Sequence, residues 1–470
     1  MARPPLLSAL LCCAFSGLGA AAWAEDEDDL SVRGSVYAAF EEAPANPDGG
    51  AVEVETVKGA IRAALSHDPQ ISAAAAQKDA AKAERFRALG GFLPNIEASA
   101  TYADDSLRSD SLQTLTDRDG TTLGITAVQP VFQGLAAINR FRAARARVSQ
   151  SDLSLLAAQQ ETALAAARAH AGVILARAIV EHRIDNMALV KEQLNIAQKR
   201  QEAGAQSRTG VEQARMRLAQ AQVDLGGART RLAEQEAAFE RITGRAPTAD
   251  LTPDGRDLAG AFASVEDAIA AAHNNNPVIA AAEKGVDAAE HAKNAAKGAF
   301  APRLTLEGSY LKRYGENQIM AAQTPDEEYQ LVARLRMPIF RQTEDIAGLR
   351  SAGANVSQEQ ARMMTAIYAI DETVTRSWRQ WTEALSRAAA AKIGIEAAKQ
   401  SVRGLKMEYE AGQRSVIDVL DGQRDLAIAQ INASQAEYEV RVSQYELIAA
   451  TGFILEAFFG DDARARQDAE

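Results

Sequence analysis

Apolar residues recur at helical spacing along most of the chain, and two short stretches in each half alternate instead. Helices are expected at about Val57–Leu89 and Val265–Ala299. Gly91-Phe92-Leu93-Pro94 and Phe300-Ala301-Pro302 stop them, because proline cannot continue a helix. In Asn95–Tyr102, Ile96, Ala98, Ala100 and Tyr102 fall on one face and Asn95, Glu97, Ser99 and Thr101 on the other. Arg303–Tyr310 sets Leu304, Leu306 and Tyr310 against Arg303, Thr305, Glu307 and Ser309. Return strands are expected at Thr122–Val128 and Gln330–Met337. Period-two alternation over eight to ten residues is what a membrane-barrel strand needs, and an ordinary amphipathic hairpin shows it too. Long helices follow, at about Gln133–Gln201 and Arg341–Tyr409. The turn glycines Gly204 and Gly412 end them, and return helices run over Ser207–Arg241 and Ser415–Ala450.

The two halves are copies. Ile61–Pro69 resembles Ile269–Pro277 at an offset of 208 residues. The same offset carries Pro94 to Pro302, Tyr102 to Tyr310, Pro130 to Pro338, Phe132 to Phe340 and Gly204 to Gly412. Chance alignment of alanine-rich helices would not keep prolines and glycines in register over such a span, so the register marks a duplication. In each copy the helix before the hairpin and the one after the glycine turn sum to roughly the 70 residues, about 105 Å, of the uninterrupted helix. Stacked end to end, they would form a second column of equal height.

One chain supplies four strands. An open four-stranded sheet cannot sit in lipid, because its edge N–H and C=O groups would be unpaired. Two chains would give about eight strands and a filled interior, whereas three give about twelve and a conducting one. Phe92, Phe132, Phe300 and Phe340 sit at the helix end of the hairpins, with Tyr102, Tyr310 and Tyr314 toward the far end. These are positions for two interfacial girdles, and the phenylalanines also suit core packing at the helix–strand junction. The loops Ala103–Gly120 and Lys312–Glu327 are polar and suit the outer side.

Composition narrows the class. Hydrophobic residues are 47% of 470, largely alanine, and aromatics only 5%, which favours close-packed helices over a thick core. Arg3, the apolar stretch Leu6–Leu18 and Ala22-Trp23-Ala24 read as a secretory signal over 1–24. Both cysteines, Cys12 and Cys13, lie in it, so no disulfide is expected in the mature chain. Loss of Arg3 takes the net charge from −12 to about −13, which argues against a nucleic-acid partner. No later stretch has eighteen consecutive apolar residues, so no membrane-spanning helix is expected. The organisation expected is a signal at 1–24, an acidic flexible extension at 25–55 and a first repeat at 56–247, with strands near 95–103 and 121–131. A linker at 248–263, a second repeat at 264–453 with strands near 303–312 and 328–338, and a tail at 454–470 complete it.

Val128-Gln129-Pro130-Val131-Phe132-Gln133-Gly134 and Met337-Pro338-Ile339-Phe340 resemble the strand-ending motif of the TolC outer-membrane channel family. Gly412-Gln413-Arg414-Ser415-Val416-Ile417-Asp418-Val419-Leu420-Asp421 resembles its turn motif, and Tyr445–Gly452 its closing motif. The resemblance covers about Val57 to Phe453. It implies α plus transmembrane β architecture: a homotrimer with a 12-stranded β-barrel in outer-membrane lipid, continued by a 12-column α-helical barrel across the periplasm. It implies an exit duct for protein secretion or efflux, working with a periplasmic adaptor and an inner-membrane ABC or RND transporter. It implies no enzymatic activity and no cofactor.

The same resemblance places a periplasmic gate at the glycine turn. Asp418 and Asp421 match the acidic pair at the family's constriction, and Tyr409 and Arg414 match positions that latch it closed. Spaced i, i+3, the two carboxylates share a helix face, and in a trimer they would form two rings that bind cations. Ser415 and Asp418 also have the spacing of a helix cap, a role compatible with the gate. Thr209-Gly210-Val211 departs from the family, which often has aspartate after the threonine. Gly210 offers Arg414 no acceptor, and Glu212 is a possible substitute.

His67, His170, His182, His273 and His291 show no metal-ligand spacing and are read as surface residues, and Trp378 and Trp381, one turn apart, as packing residues. A periplasmic coiled-coil adaptor or a structural coiled coil would also explain the long helices. Neither explains two copies of a membrane-type strand pair.

Overall fold

The computed structural model describes residues 55–109, 114–256, 258–314, 326–341 and 343–467. The expected signal with both cysteines, the extension up to residue 54, the hairpin tips 110–113 and 315–325, and residues 468–470 lie outside the described residues.

The first repeat comprises α1 (Val57–His67), α2 (Pro69–Leu89), β1 (Asn95–Ser109), β2 (Thr114–Gln133), α3 (Ala136–Glu202) and α4 (Arg208–Thr243). The second comprises α5 (Val265–Asn275), α6 (Pro277–Lys297), β3 (Arg303–Tyr314), β4 (Glu327–Arg336), α7 (Glu344–Glu410) and α8 (Val416–Ala450), and α9 (Ile454–Gln467) follows. The long helices α3 and α7 each have 67 residues, roughly 100 Å.

The helix before each hairpin is in two pieces, where one unbroken helix was expected. Asp68 and Asn276 take extended backbone, as a residue before proline does. Their side chains accept from the Gln70 and Val278 N–H groups, which starts a new helix with proline in its first turn. The Thr162 hydroxyl donates to Asp68 at 2.7 Å, and the Asn276 amide donates to the Ala450 carbonyl at 2.8 Å. The second break therefore abuts the end of its return helix, while the first is tied to mid-α3 and has His67 beside Gly244 at the end of α4. Ala60 and Ala63 of α1 pack on Phe239 of α4, so α1 lies beside that helix and only α2 continues the column.

The helices form four columns: α2 with α4, then α3, then α6 with α8, then α7. The strands lie in the same order, β1-β2-β3-β4, all neighbours antiparallel. Strand order and column order match because each strand continues a column. Gly134 permits the passage from β2 to α3. Its φ is +62°, and a Cβ there would lie 2.2 Å from the Ala301 Cβ.

The first hairpin is longer than its sequence implied, β1 reaching Ser109 and β2 starting at Thr114. Charged residues do not stop a strand whose backbone stays paired, and the ladder runs from Asn95↔Val128 to Ser109↔Thr114. Pairing sets the two faces of the sheet. Ile96, Ala98 and Ala100 lie across from Ala127, Ile125 and Leu123. Ile125 lies across from Tyr310, and Tyr310 from Tyr329. Leu304, Leu331 and Leu335 fall on that same apolar face. It is open to the surroundings: Ile96, Leu331 and Leu335 are 66%, 63% and 69% exposed. The other face is polar and carries the Glu307–Arg334 ion pair at 2.9 Å.

The first turns of the tail expected at 454–470 belong to the core. Ile454, Leu455, Phe458 and Phe459 bury against Val57, Ile61 and Tyr445, with Arg256 of the inter-repeat segment over the Phe458 ring. That segment is also tied in, since Thr252 bridges Thr56 and Arg177 donates to the Thr248 and Ala249 carbonyls. By length and composition α3 alone among the described helices could cross a membrane, but half of its most apolar stretch is buried in this packing.

His170 is fully buried, contrary to the surface reading. Its Nε2 lies 3.2 Å from the Glu55 carbonyl, its ring meets Phe239, and its Nδ1 has no partner among the described residues. Burial pushes its pKa below the ordinary value of 6.5, aided by Arg441 and opposed by the Glu55 carbonyl and Asp254. A base whose folded pKa is depressed contributes full stability above about 6.5 and loses it as pH falls toward the folded value. On going from pH 7.5 to 5, proteolysis within 245–256 should accelerate in the wild type and stay flat in His170→Gln, as timed cleavage would show.

Candidate functional site: the glycine-turn end of the helices

At the end remote from the sheet, α3 turns into α4 at Gly204, and α7 into α8 at Gly412. Both turns close the same way. Gly204 and Gly412 donate to the Gln201 and Tyr409 carbonyls, and the next N–H groups, of Ala205 and Gln413, reach back to Arg200 and Glu408 at 2.8 Å. Glycine is needed for its φ of +75° or +77° and not for space, since nothing lies within 4 Å of a Cβ at either site.

Behind the turns an apolar plug joins all four helices. It comprises Val190, Leu194 and Ala197 of α3, Val211 and Ala214 of α4, Tyr409 of α7, and Val416, Val419 and Leu420 of α8. The polar residues therefore stand on its rim.

Each residue expected at the gate has a defined partner. Asp418 closes a reciprocal cap: it accepts from the Ser415 N–H at 2.9 Å and the Ser415 hydroxyl at 2.8 Å, while its own N–H donates to that hydroxyl. These bonds to Ser415, with Arg414 contributing less, hold the Asp418 carboxyl below its ordinary value. Asp421 accepts from Arg217 of α4 at 2.6 Å. Arg414 turns back onto Glu408, 2.9 Å away, within its own turn. Gly210 thus leaves Arg414 bound within its own repeat, and Glu212 is engaged by Arg215 on its own helix. Tyr409 is buried, its hydroxyl without a partner among the described residues, with the Arg200 guanidinium 4.2 Å from its ring centroid.

Two arginines of the first repeat, Arg200 and Arg217, therefore join the two hairpins. Sequence reasoning missed both, because only tertiary packing brings α3 and α4 against α7 and α8. Among the described residues no cluster of His, Cys, Asp and Glu could hold a metal.

An open sheet with an apolar outer face, set on a four-column helical shaft, defines one sector of a membrane channel. A family model described as outer membrane efflux protein matches residues 60–245 and 268–453, one match per repeat. The chain belongs to that family, and its place is the outer membrane, with the helical shaft in the periplasm. It is 30% identical to outer membrane efflux protein BepC of Brucella suis over 70% of this chain and 72% of that protein. It is 26% identical to outer membrane protein TolC of Vibrio cholerae (86% and 92%) and 27% to alkaline protease secretion protein AprF of Pseudomonas aeruginosa (84% and 84%). The fold is that of the Vibrio cholerae outer membrane protein VceC, with a TM-score of 0.73 at 18% identity over 84% of this chain and 96% of that one.

Ser415→Ala removes the hydroxyl half of the cap. Protease cleavage at the 412–415 turn should rise on the order of five-fold, the population change a lost N-cap of this kind brings. Ser415→Thr should cleave at the wild-type rate.

Proposed function

We propose that the chain is one third of a homotrimeric exit duct, closed at its periplasmic end by the Asp418 and Asp421 rings. It serves type I protein secretion ahead of drug or metal efflux. The observation that carries the duct is the sheet: β1 and β4 have a free edge each, and the exposed apolar face runs across all four strands. In lipid those edges must pair with other chains. Three sectors close a barrel of about twelve strands. The exposed phenylalanines at the helix end of the hairpins, Phe92, Phe132, Phe300 and Phe340, then lie at the inner interface.

Secretion is favoured by the turn and closing motifs and by the relatives named for protease secretion, AprF and PrtF. A duct of this height meets a periplasmic adaptor and an inner-membrane ABC or RND transporter at the glycine-turn end, which displays charged groups around an apolar plug. In the trimer the three Asp418 carboxylates face one another, and their repulsion opposes the Ser415 cap that lowers the Asp418 pKa.

Sizing in detergent should give three chains per particle, and a stable monomer free of detergent would remove the duct. In planar bilayers the wild type should select cations and be blocked by multivalent cations added on the periplasmic side. Asp418→Ala combined with Asp421→Ala should weaken both properties several-fold. Unchanged selectivity and block would leave Asp418 as a helix cap and Asp421 as an ion-pair partner.

A further inference from the structure

We infer that Arg217 is the positioning residue of the periplasmic end: it draws Asp421 across to α4, locking the two hairpins together and withholding that carboxylate from the aperture. This rests on the gate reading above and assigns its regulation.

The first observation is geometric. The Arg217 Nη2 donates to Asp421 Oδ1 at 2.6 Å, with side chains 29% and 47% exposed. The pair stands on the rim of the apolar plug, beside Ala214 and Leu218 of α4 and Leu420 of α8. Partial removal from water strengthens such a pair relative to a fully exposed one, and the plug packs the two helices that carry it.

The second observation is the divergence of the two repeats. At the offset of 208, Arg217 corresponds to Asp425, Asp421 to Gln213, and Asp418 to Gly210. Over Arg208–Arg217 the first repeat carries Arg208, Arg215 and Arg217 against Glu212. Over Val416–Asp425 the second carries Asp418, Asp421 and Asp425 against Arg424. The duplicated helix starts are therefore basic in one copy and acidic in the other. Arg215 is taken up by Glu212 on its own helix, and Arg217 is the member of the basic set that crosses to the acidic one. Among the described residues of this chain Arg414 closes on Glu408, within its own repeat.

In the closed trimer three Arg217–Asp421 pairs neutralise one of the two acidic rings, and the Asp418 ring alone carries net charge. Any motion that opens the aperture by moving α8 from α4 must break these pairs. It then frees three carboxylates toward the passage, so opening and the gain in cation selectivity are one event.

The test is bilayer recording of purified trimers of the wild type, Arg217→Gln, Asp421→Asn and the exchange Arg217→Asp with Asp421→Arg. Trimer size in detergent controls for folding. Arg217→Gln and Asp421→Asn should each raise resting conductance several-fold. Cation selectivity should rise in Arg217→Gln, which frees Asp421, and fall in Asp421→Asn. The exchange should return resting conductance to near the wild-type level, which a purely steric role of Arg217 would not produce. Wild-type conductance in Arg217→Gln, or failure of the exchange to lower it, overturns the lock. If the double alanine variant alters selectivity while Arg217→Gln does nothing, the acidic gate stands and the lock falls. If the double alanine variant leaves selectivity unchanged while the exchange restores conductance, the lock stands and the acidic filter falls.

Discussion

The structure depends on one constraint: every backbone N–H and C=O in lipid needs a partner. Four strands paired in sequence leave two edges open. No arrangement of this sheet alone satisfies them, so the membrane part is complete only with other chains. The exposed apolar face follows from the same requirement. In a soluble protein Ile96, Leu331 and Leu335 would seek a core, but here they stand exposed, as a lipid-facing wall requires.

The helices carry that geometry away from the membrane. Because strand order and column order agree, each strand edge continues into a helix flank, and a barrel closed in the sheet is closed in the shaft. α2 has no buried residue, and Tyr368 and Ile393 of α7 are largely exposed, as flanks awaiting a neighbouring sector must be. The core concentrates instead at mid-height and at the glycine turns. At mid-height the breaks at Asp68 and Asn276 meet the ends of α4 and α8, and α9 packs beside them. This band holds the columns in register.

The glycine-turn end combines a rigid element with a weak one. The apolar plug and the backbone bonds of the turns set the position of each helix start. The ion pairs on the rim are partly in water, so they add selectivity between arrangements more than raw stability. That combination suits the gate proposed for this end. Asp418 and Asp421, neighbours on one face, have been given different work: the first is bound to its own helix start, the second to another helix.

Much of the fold is legible in the sequence. Period-two alternation marks the strands, Gly204 and Gly412 mark the turns, and the offset of 208 marks the duplication, because each is a local property of the chain. The helix breaks were legible in principle, as the Asp68-Pro69 and Asn276-Pro277 pairs carry the signal, but periodicity on both sides hides them. The cap of Ser415 and Asp418 needs only i, i+3 spacing and was read from the sequence directly. What only the tertiary structure decided is which residues meet across elements. The burial of His170, the core role of Phe458 and the pairing of Arg217 with Asp421 join positions up to about 400 residues apart. A salt bridge between helices has no sequence spacing of its own; it exists where packing brings two charges together. The chain's local periodicities therefore determined its elements and their order, and the packing of four helices at one end determined which charges pair there.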